Sequence, residues 1–563
     1  MITRAALPTV TVSAVILATL GGVTCGVDRI RRFPRRPVLR VDDDRRDVAT
    51  PPAVTQQGRW ASALEAQLTE PLERLLAVRS GGRARNVNSL GEVPDSTWFR
   101  NRNHRRALSL SVVRRGAART PGPSLLGPWQ VEWTARTRTG LRVAIRDEQS
   151  HRFTLSFDAK GHPRLATTAE LVATLLLHTL GFHVPERHLV LFEPSQLRLT
   201  AGSRHRRADG RSRKGDPRLH KAGLSRLLRG LPKLRDGSLR ALATRLDGSL
   251  DLGPFRFRGR RRDDPNDFVA HERRRELRGL AAVAALLNLT TVSRVGRDRY
   301  VRQRPRHVIH RLERLRGALG STPAGRPKPL WEGFAPLFDP RRMAQQALTF
   351  GLVRSAWMDL ARHRRRQLRR WPALGWLPAE RFRTADFSPR LSNPAFAAAD
   401  DEDRFWGARL IASLTARQLR AAVQEALLPE DEARRLVHTL LLRRRSVLRH
   451  SLGRRAPLDD FRLIRSDPTR LCFTDLWRRE GLGGPALVTY ELRLRSDRGI
   501  VPGTRARHLA RNELVCVIVP PVRRTAQDDG YRVLEIRRPG ISPAWVRIHL
   551  RSQPGLAIAG LER

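Results

Sequence analysis

The chain is 563 residues long, which is enough for two to four domains that each bury a core of their own. Hydrophobic residues make up 40% of the sequence, so the composition excludes a generally disordered protein. Lysine and arginine total 107 against 54 aspartates and glutamates, a formal net charge of +53, and only five of the 107 are lysines.

This charge would suit a nucleic-acid partner, because it holds polyanions through phosphate contacts. The arginine runs, however, are scattered along the chain, and several stand at helical spacing beside apolar positions, as on a solvated helix face. The sequence has no ribonucleoprotein motif, zinc-finger spacing or basic–aromatic platform. We therefore interpret the arginine runs as solvated surface. They are Arg204–Arg207, Arg260–Arg262, Arg364–Arg366 and Arg443–Arg445.

The first 25 residues have the pattern of an export signal. Arg4 precedes an apolar run from Ala5 to Leu20, and small residues lead on to Cys25. The run is shorter than the roughly 20 residues that a membrane span needs. We expect residues 1–25 to be a signal peptide or a lipoprotein signal. Lipidation of Cys25, plain cleavage and a retained anchor all stay open, and the protein is then periplasmic or membrane-anchored through its N-terminus.

Residues 26–55 are rich in proline, arginine and aspartate, and we expect a flexible linker there. Residues 56–125 are expected to form an N-terminal helical or irregular extension. Its leucines between 61 and 78 repeat at helical spacing. Trp98 and Phe99 follow, and side chains of this size need a surface to pack on.

Strand patterns begin near residue 126, and residues 126–200 are expected to form a small β-rich lobe with one helix over 167–180. Residues 201–455 read as a larger, mostly helical lobe with an arginine-rich insertion at 203–235. Its helices are predicted over 271–287, 342–369, 402–413, 416–427 and 429–451.

Residues 456–563 form a separate β-rich module. Apolar residues alternate in several short runs separated by glycine and proline, which predicts a small sandwich or barrel. Cys472 and Cys516 lie in this module, and they either pair in an oxidising compartment or remain two buried thiols.

Two long motifs resemble those of a family of exported bacterial proteins of proteobacterial type. One is the run from Glu92 to Phe99, which in that family typically reads Glu-Val-Pro-Asp-Ser-Ser-Trp-Phe; the other joins Asp263-Asp-Pro-Asn-Asp267 to His271–Leu280. The resemblance spans most of residues 84–563.

A second resemblance concerns the fold. The strand Arg152–Asp158, the helix with Ala169-Glu170 and the segment Gly181–Glu186 are similar to the strand, helix and hinge of a HipA-type or phosphoinositide-kinase-like nucleotide lobe. It implies an α+β fold with a two-lobed kinase-like core, followed by the C-terminal all-β module.

In the intact kinase-like pattern, a lysine on the strand holds the nucleotide phosphates, and a glutamate on the helix pairs with it. The lysine position is Ser156 here, and a hydroxyl supplies no fixed positive charge. Glu170 is present, but the resemblance leaves it without the lysine as its partner.

The pattern also places the acceptor-orienting acid and the metal ligands in an Asn-His-x-Asp-x4-Asn run and a later Asp-Phe-Gly. The alignment puts a mismatched residue at each position except the first, and an arginine at a magnesium ligand would repel the cation. The aligned residues are Asn288, Thr291, Gly296 and Arg314, with Glu313 one residue from the last acid.

The resemblance therefore implies a catalytically inactive, kinase-like envelope protein that acts as a binding or scaffold module, with no catalytic residues and no cofactor. One alternative is a divergent phosphotransferase, which would use ATP and magnesium with Glu313 and arginines as substitutes. Another is a basic polyanion-binding protein. The partner stays open between anionic envelope components and another protein.

Asp263, Asp264 and Asp267 with His271 have oxygen and imidazole groups that could ligate a metal. An acidic turn that caps an arginine-rich helix explains the same residues, and we favour the turn, so no metal site is expected.

Overall fold

The computed structural model describes residues 30–33, 43–53, 82–206, 216–336, 345, 347–349, 356–497, 499–520, 530–552 and 555–563. The expected export signal with Cys25 and the helix expected between residues 61 and 78 lie outside these ranges. Within them the chain is an α+β protein, as predicted. No helix in these ranges is both long enough and apolar enough to cross a membrane.

The first sheet has six strands. They are β1 (Trp129–Thr137), β2 (Gly140–Arg146), β3 (Arg152–Phe157), β4 (Arg187–Phe192), β5 (Leu197–Arg206) and β6 (Leu239–Arg245). Their order across the sheet is β4-β6-β3-β2-β1-β5, and all neighbours are antiparallel except β1 and β5. The boundary expected at residue 200 thus falls inside β5, and the sheet takes in β6 beyond it.

Alternation along the strands gives this sheet two different faces. The side chains on one face, among them Val143 and Leu155, form an apolar core. Helix α3 (Lys221–Arg229) covers that core with Leu224 and Leu228. Part of the expected arginine-rich insertion is therefore an amphipathic helix that closes the core.

The opposite face of the sheet packs against helix α2 (Leu165–Leu180), nearly all of whose residues are buried. The Asp158 carboxylate caps this helix, because it accepts hydrogen bonds of 2.9 Å from the backbone N–H groups of Ala166 and Thr167. The helix ends at Gly181, whose φ of +113° belongs to the left-handed region that glycine adopts without strain.

A second, three-stranded antiparallel sheet consists of β7 (Leu250–Gly253), β8 (Gly296–Val301) and β9 (His307–Leu312). Helix α4 (Arg275–Leu287) precedes β8, and its apolar side shares one buried cluster with α2. The other helices of this part of the chain are α1 (Leu110–Arg115), α5 (Ala361–Arg370), α6 (Pro394–Ala397), α7 (Asp401–Ala412), α8 (Ala416–Gln424) and α9 (Glu430–Leu452).

A buried arginine of α9 caps the C-terminal end of α4. The Arg443 guanidinium donates hydrogen bonds to the backbone carbonyls of Leu286, at 2.9 Å, and Pro378, at 2.7 Å, and also to Ala285. The last carbonyls of a helix have no partner within it, so the guanidinium supplies donors that the helix lacks.

The interpretation of the arginine runs as solvated surface is wrong at two positions. Arg443 is completely buried, and Arg261 is 9% exposed and ion-paired with Asp298. Their run neighbours Arg262 and Arg445 are exposed, as expected. The pattern of a run alone does not tell which arginine turns inward, because that depends on the carbonyls and carboxylates brought opposite it.

The motif around Trp98 packs the N-terminal extension onto the rest of the chain. The Trp98 ring is stacked on His310 at 3.6 Å between centroids and meets His271 edge-on at 4.5 Å. The preceding residue, Thr97, donates from its backbone N–H and its hydroxyl to the Asp44 carboxylate at 2.7 and 2.6 Å. Part of the segment expected to be a flexible linker is therefore held against the domain.

The C-terminal residues form a β-sandwich, in agreement with the predicted all-β module. Its two sheets share one apolar core, and Cys472 and Cys516, directly opposite each other on neighbouring strands, form a disulfide bond. One sheet contains β10 (Leu458–Ile464), β11 (Arg470–Asp475) and β15 (Leu514–Ile518). The other contains β12 (Val488–Ser496), β13 (Gly499–Ile500), β14 (Ala506–Ala510), β16 (Arg532–Arg537), β17 (Val546–Arg551) and β18 (Ala557–Glu562), and helix α10 (Leu476–Arg479) follows β11.

Replacing Arg443 with methionine tests the buried cap. The variant leaves the α4 carbonyls without donors in the core, so we expect the free energy of unfolding to fall by roughly 3 kcal/mol or more. Arg445→Met, in the same run but exposed, should change it by less than about 0.5 kcal/mol. Equal effects of the two substitutions in urea denaturation would contradict the assignment.

The pH dependence of stability tests two shielded histidines. Burial lowers the pKa of His178 and of His183 to about 3, whereas an unfolded chain keeps the ordinary value near 6.5. The unfolded state then binds more protons as the pH falls below about 6.5, so stability is present above that pH and is lost below it. We expect a loss of about 1–2 kcal/mol per histidine between pH 7 and pH 5.

The measurement is the free energy of unfolding in urea across this pH range. A variant carrying His178→Asn and His183→Gln should show a flatter profile than the wild type. A wild-type profile that does not change between pH 7 and pH 5 would contradict the burial of the two rings.

Candidate functional site

The candidate site lies where the α2 side of the first sheet faces the β8–β9 hairpin. Ser156 on β3 stands directly opposite Arg142 on β2, so the two side chains share one face of the sheet. The Ser156 hydroxyl donates a long hydrogen bond of 3.4 Å to the Leu242 carbonyl. The neighbouring strand β2 thus places a cation, Arg142, beside the position where the kinase-like pattern has a lysine.

Glu170 lacks the lysine of the kinase-like pattern, but two arginines from other elements pair with it. Its carboxylate lies 2.8 Å from a guanidinium nitrogen of Arg187 on β4 and 3.7 Å from one of Arg316, just after β9. All three side chains are nearly buried. Arg187 also donates a hydrogen bond of 2.6 Å to the Thr174 hydroxyl and another to the Glu313 backbone carbonyl. Arg316 donates a hydrogen bond of 2.8 Å to the Phe157 backbone carbonyl.

Glu313 is also taken up by arginines. Two guanidinium nitrogens of Arg299 lie 2.7 Å from its two carboxylate oxygens, a bidentate pair, and Arg297 lies 4.0 Å away. The pKa of Glu313 is lowered, because these hydrogen bonds and charges outweigh the effect of burial. Arg297 in turn is hydrogen-bonded to Asp251 on β7, at 3.0 Å from its Nε.

Arg314, which the kinase-like pattern aligns with a metal ligand, is exposed. Partial burial lowers its pKa to about 10, and the like charges of Arg297 and Arg142 act in the same direction. Burial also lowers the pKa of Arg142, opposed by Glu170 and assisted by Arg316. The two arginines thus feel each other's charge across the site.

The residues around the start of β8 that the kinase-like pattern aligns with its site make contacts within the protein. Asn288 ends α4 in the left-handed conformation, with φ of +49°, and its amide lies 3.4 Å from the Trp376 carbonyl. Gly296 begins β8 beneath the ring of Phe255, where a Cβ atom would come within 2.3 Å of the ring. Thr291 is nearly buried against Gly317.

Positive charge prevails at the site. Six arginines stand there against three carboxylates, and all three carboxylates are ion-paired. A divalent cation would meet a net repulsion and find no free carboxylate among these residues. The arginines are Arg142, Arg187, Arg297, Arg299, Arg314 and Arg316, and the carboxylates are those of Glu170, Glu313 and Asp251.

The Asp263–His271 segment is a folded turn, but no side chain of it caps the following helix α4, whose N-cap residue is Arg274. Asp267 lies 2.7 Å from the His271 ring and 3.4 Å from Arg274, and its pKa is lowered, because these charges outweigh burial. Asp263 pairs with Arg261 at 2.9 Å, and Asp264 accepts from the Asn266 backbone N–H. In the part of the chain that the structure describes, no group of three or more such side chains is arranged to hold a metal.

Sequence comparison with the kinase-like pattern missed the arginines that fill this site. Arg142 carried one usable signal, because it alternates with Leu141 and Val143 and therefore points away from the apolar core of β2. Arg187 and Arg316 carried none, since their approach to Glu170 depends on strand order and on the loop after β9.

Comparison of the chain with protein-family models, with curated proteins and with solved structures finds no match.

Proposed function

We propose that this protein is a catalytically inactive, kinase-like binding or scaffold module of the bacterial envelope. Three features support the kinase-like part of the proposal. The first sheet packs against α2, which carries the buried, ion-paired Glu170. Helix α4 and the loop after it come later in the chain. The β8–β9 hairpin then leads to the segment Glu313-Arg314. This is the order in which the kinase-like pattern places its phosphate, acceptor and metal positions.

One observation carries the inactive part of the proposal: the carboxylate of Glu313 is already occupied. It is the remaining acid near the aligned metal position, and the Arg299 fork holds both of its oxygens at 2.7 Å. A metal ligand or a general base needs a carboxylate oxygen free to bind the cation or accept the proton. Releasing Glu313 would leave Arg299 without its bidentate charge partner in a largely buried position, which is costly.

The other aligned positions support the same conclusion. Ser156 offers a hydroxyl where phosphates need a fixed charge, and Gly296 has no side chain to hold a metal. Arg142 could replace the lysine as a cation, but it cannot replace the missing carboxylates. The site therefore keeps groups that attract anions and lacks groups that hold magnesium.

Location in the envelope rests on the N-terminal sequence alone, with its apolar run before Cys25. The disulfide between Cys472 and Cys516 is consistent with an oxidising compartment. The binding partner that follows from this location is an anionic envelope component or another protein.

Phosphate transfer tests the proposal. With Mg²⁺ and γ-labelled ATP, we expect no ATP turnover and no label on the protein or on added acceptor above the buffer control, because no carboxylate is free to position the metal or the acceptor hydroxyl. The control variant is Glu313→Gln, which keeps an acceptor for Arg299 and should equal the wild type. Magnesium-dependent turnover that is lost in Glu313→Gln would overturn the proposal and establish a divergent phosphotransferase.

A further inference from the structure

Two arginines of the site have no charge partner of their own. In the described residues, neither the Arg142 nor the Arg314 guanidinium makes a hydrogen bond or an ion pair within 4 Å. Most arginines around them do, and their partners are the three carboxylates already named. Arg142 is half-buried and Arg314 is exposed, so a ligand can reach both from solvent.

The two arginines are held close to further positive charge. Arg297, 7% exposed, and Arg316, 5% exposed, stand beside them, and each has a buried terminal nitrogen, Nη1, without a hydrogen bond. Arg314 experiences the repulsion of Arg297 and Arg142, and Arg142 experiences that of Arg316, Arg187 and Arg297 against the attraction of Glu170. Such repulsion costs free energy in the empty site, and a bound anion would relieve it.

The neighbouring carboxylates do not neutralise this charge. Glu170 is bound to Arg187 and Arg316, and Glu313 is bound to Arg299. Arg142 and Arg314 are therefore in excess of the local acids. Ser156, directly opposite Arg142, is a short side chain at the position where the kinase-like pattern has a lysine.

We propose that Arg142 and Arg314 bind a small phosphate-bearing anion without a divalent cation, with Arg297 and Arg316 adding positive charge behind them. The proposal rests on the proposed function, because it takes the site as one that holds no catalytic metal. Guanidinium groups suit this ligand, since their planar forks match the oxygens of a phosphate group and stay charged at neutral pH.

The half-buried position of Arg142 favours a small ligand or a terminal phosphate group over a long polyanion. Pyrophosphate and the phosphate chain of a nucleotide share the required chemistry. They differ in the base and sugar, so comparing them identifies the source of the phosphate.

Calorimetric titration of the protein with pyrophosphate in EDTA tests the proposal. We expect saturable binding with a stoichiometry of one. Arg142→Gln and Arg314→Gln should each weaken it at least tenfold, because each removes one charged fork from the phosphate. The matched control is Arg507→Gln in the C-terminal sandwich, a residue whose side chain is 78% exposed, and it should bind pyrophosphate like the wild type.

Excess Mg²⁺ should weaken pyrophosphate binding, because it neutralises the ligand before the arginines can. The second titration uses ATP in EDTA. An affinity for ATP equal to that for pyrophosphate means that the protein recognises the phosphate alone. A higher affinity for ATP means that it also recognises the base and sugar of a nucleotide. Both outcomes support the site. Thermal unfolding of the variants without ligand checks their folding. Arg314→Gln should melt no lower than the wild type, because it breaks no ion pair among the described residues and removes a repelling charge.

The proposal is overturned if pyrophosphate shows no saturable binding. It is also overturned if Arg142→Gln and Arg314→Gln both bind pyrophosphate as tightly as Arg507→Gln does. Either result leaves the inactive, kinase-like module intact. Binding of ATP that requires Mg²⁺ would instead overturn both the anion site and the proposed function.

Discussion

The buried carboxylate of Glu170 connects three parts of the fold. It stands on α2, and its two arginine partners come from the edge strand β4 and from the segment after β9. Arg187 continues the connection to the backbone of Glu313, and Arg316 continues it to the end of β3. Removing one member of an ion pair this deeply buried is costly, because an uncompensated charge in the core costs several kcal/mol. The sheet, α2 and the hairpin are thereby fixed in one arrangement.

This constraint also determines the chemistry available to the site. Arginines that stabilise Glu170 and Glu313 take up the carboxylates that a phosphotransferase would need for metal and acceptor. Once Arg187, Arg299 and Arg316 are paired, the remaining charge is carried by Arg142 and Arg314, and it is positive. The same set of residues thus connects the stability of the fold with the proposed preference of the site for anions over magnesium.

Much of the fold was predictable from local patterns. Helix α2 combines a long apolar run with a glycine stop at Gly181, and α9 has acids in its first turn and Gly453 after its end, so both were predicted within a few residues. Strand β12 of the C-terminal sandwich alternates buried and partly exposed residues, which predicts both its type and its buried face, whereas β16 is buried on both faces over most of its length. In each case the information lies within about 20 neighbouring residues, the range over which periodicity can be read.

The partners of the charged residues were not predictable in this way. The kinase-like pattern gives Glu170 a partner only at the lysine position on β3, whereas its partner here comes from β4, two strands away across the sheet. Arg443 was assigned to the surface because arginine runs are usually solvated, but three carbonyls from two distant segments surround it. Such contacts depend on the tertiary arrangement and leave no spacing signal in the chain.

The central claim is that arginines exclude a divalent cation from this site, and titration with Mn²⁺ followed by electron paramagnetic resonance measures that directly. Mn²⁺ replaces Mg²⁺ at oxygen ligands, and its free signal falls when it binds. We expect the free signal of the wild type to match that of buffer at micromolar Mn²⁺, and Glu313→Gln to give the same result. Loss of one equivalent of signal in the wild type, restored in Glu313→Gln, would contradict the claim.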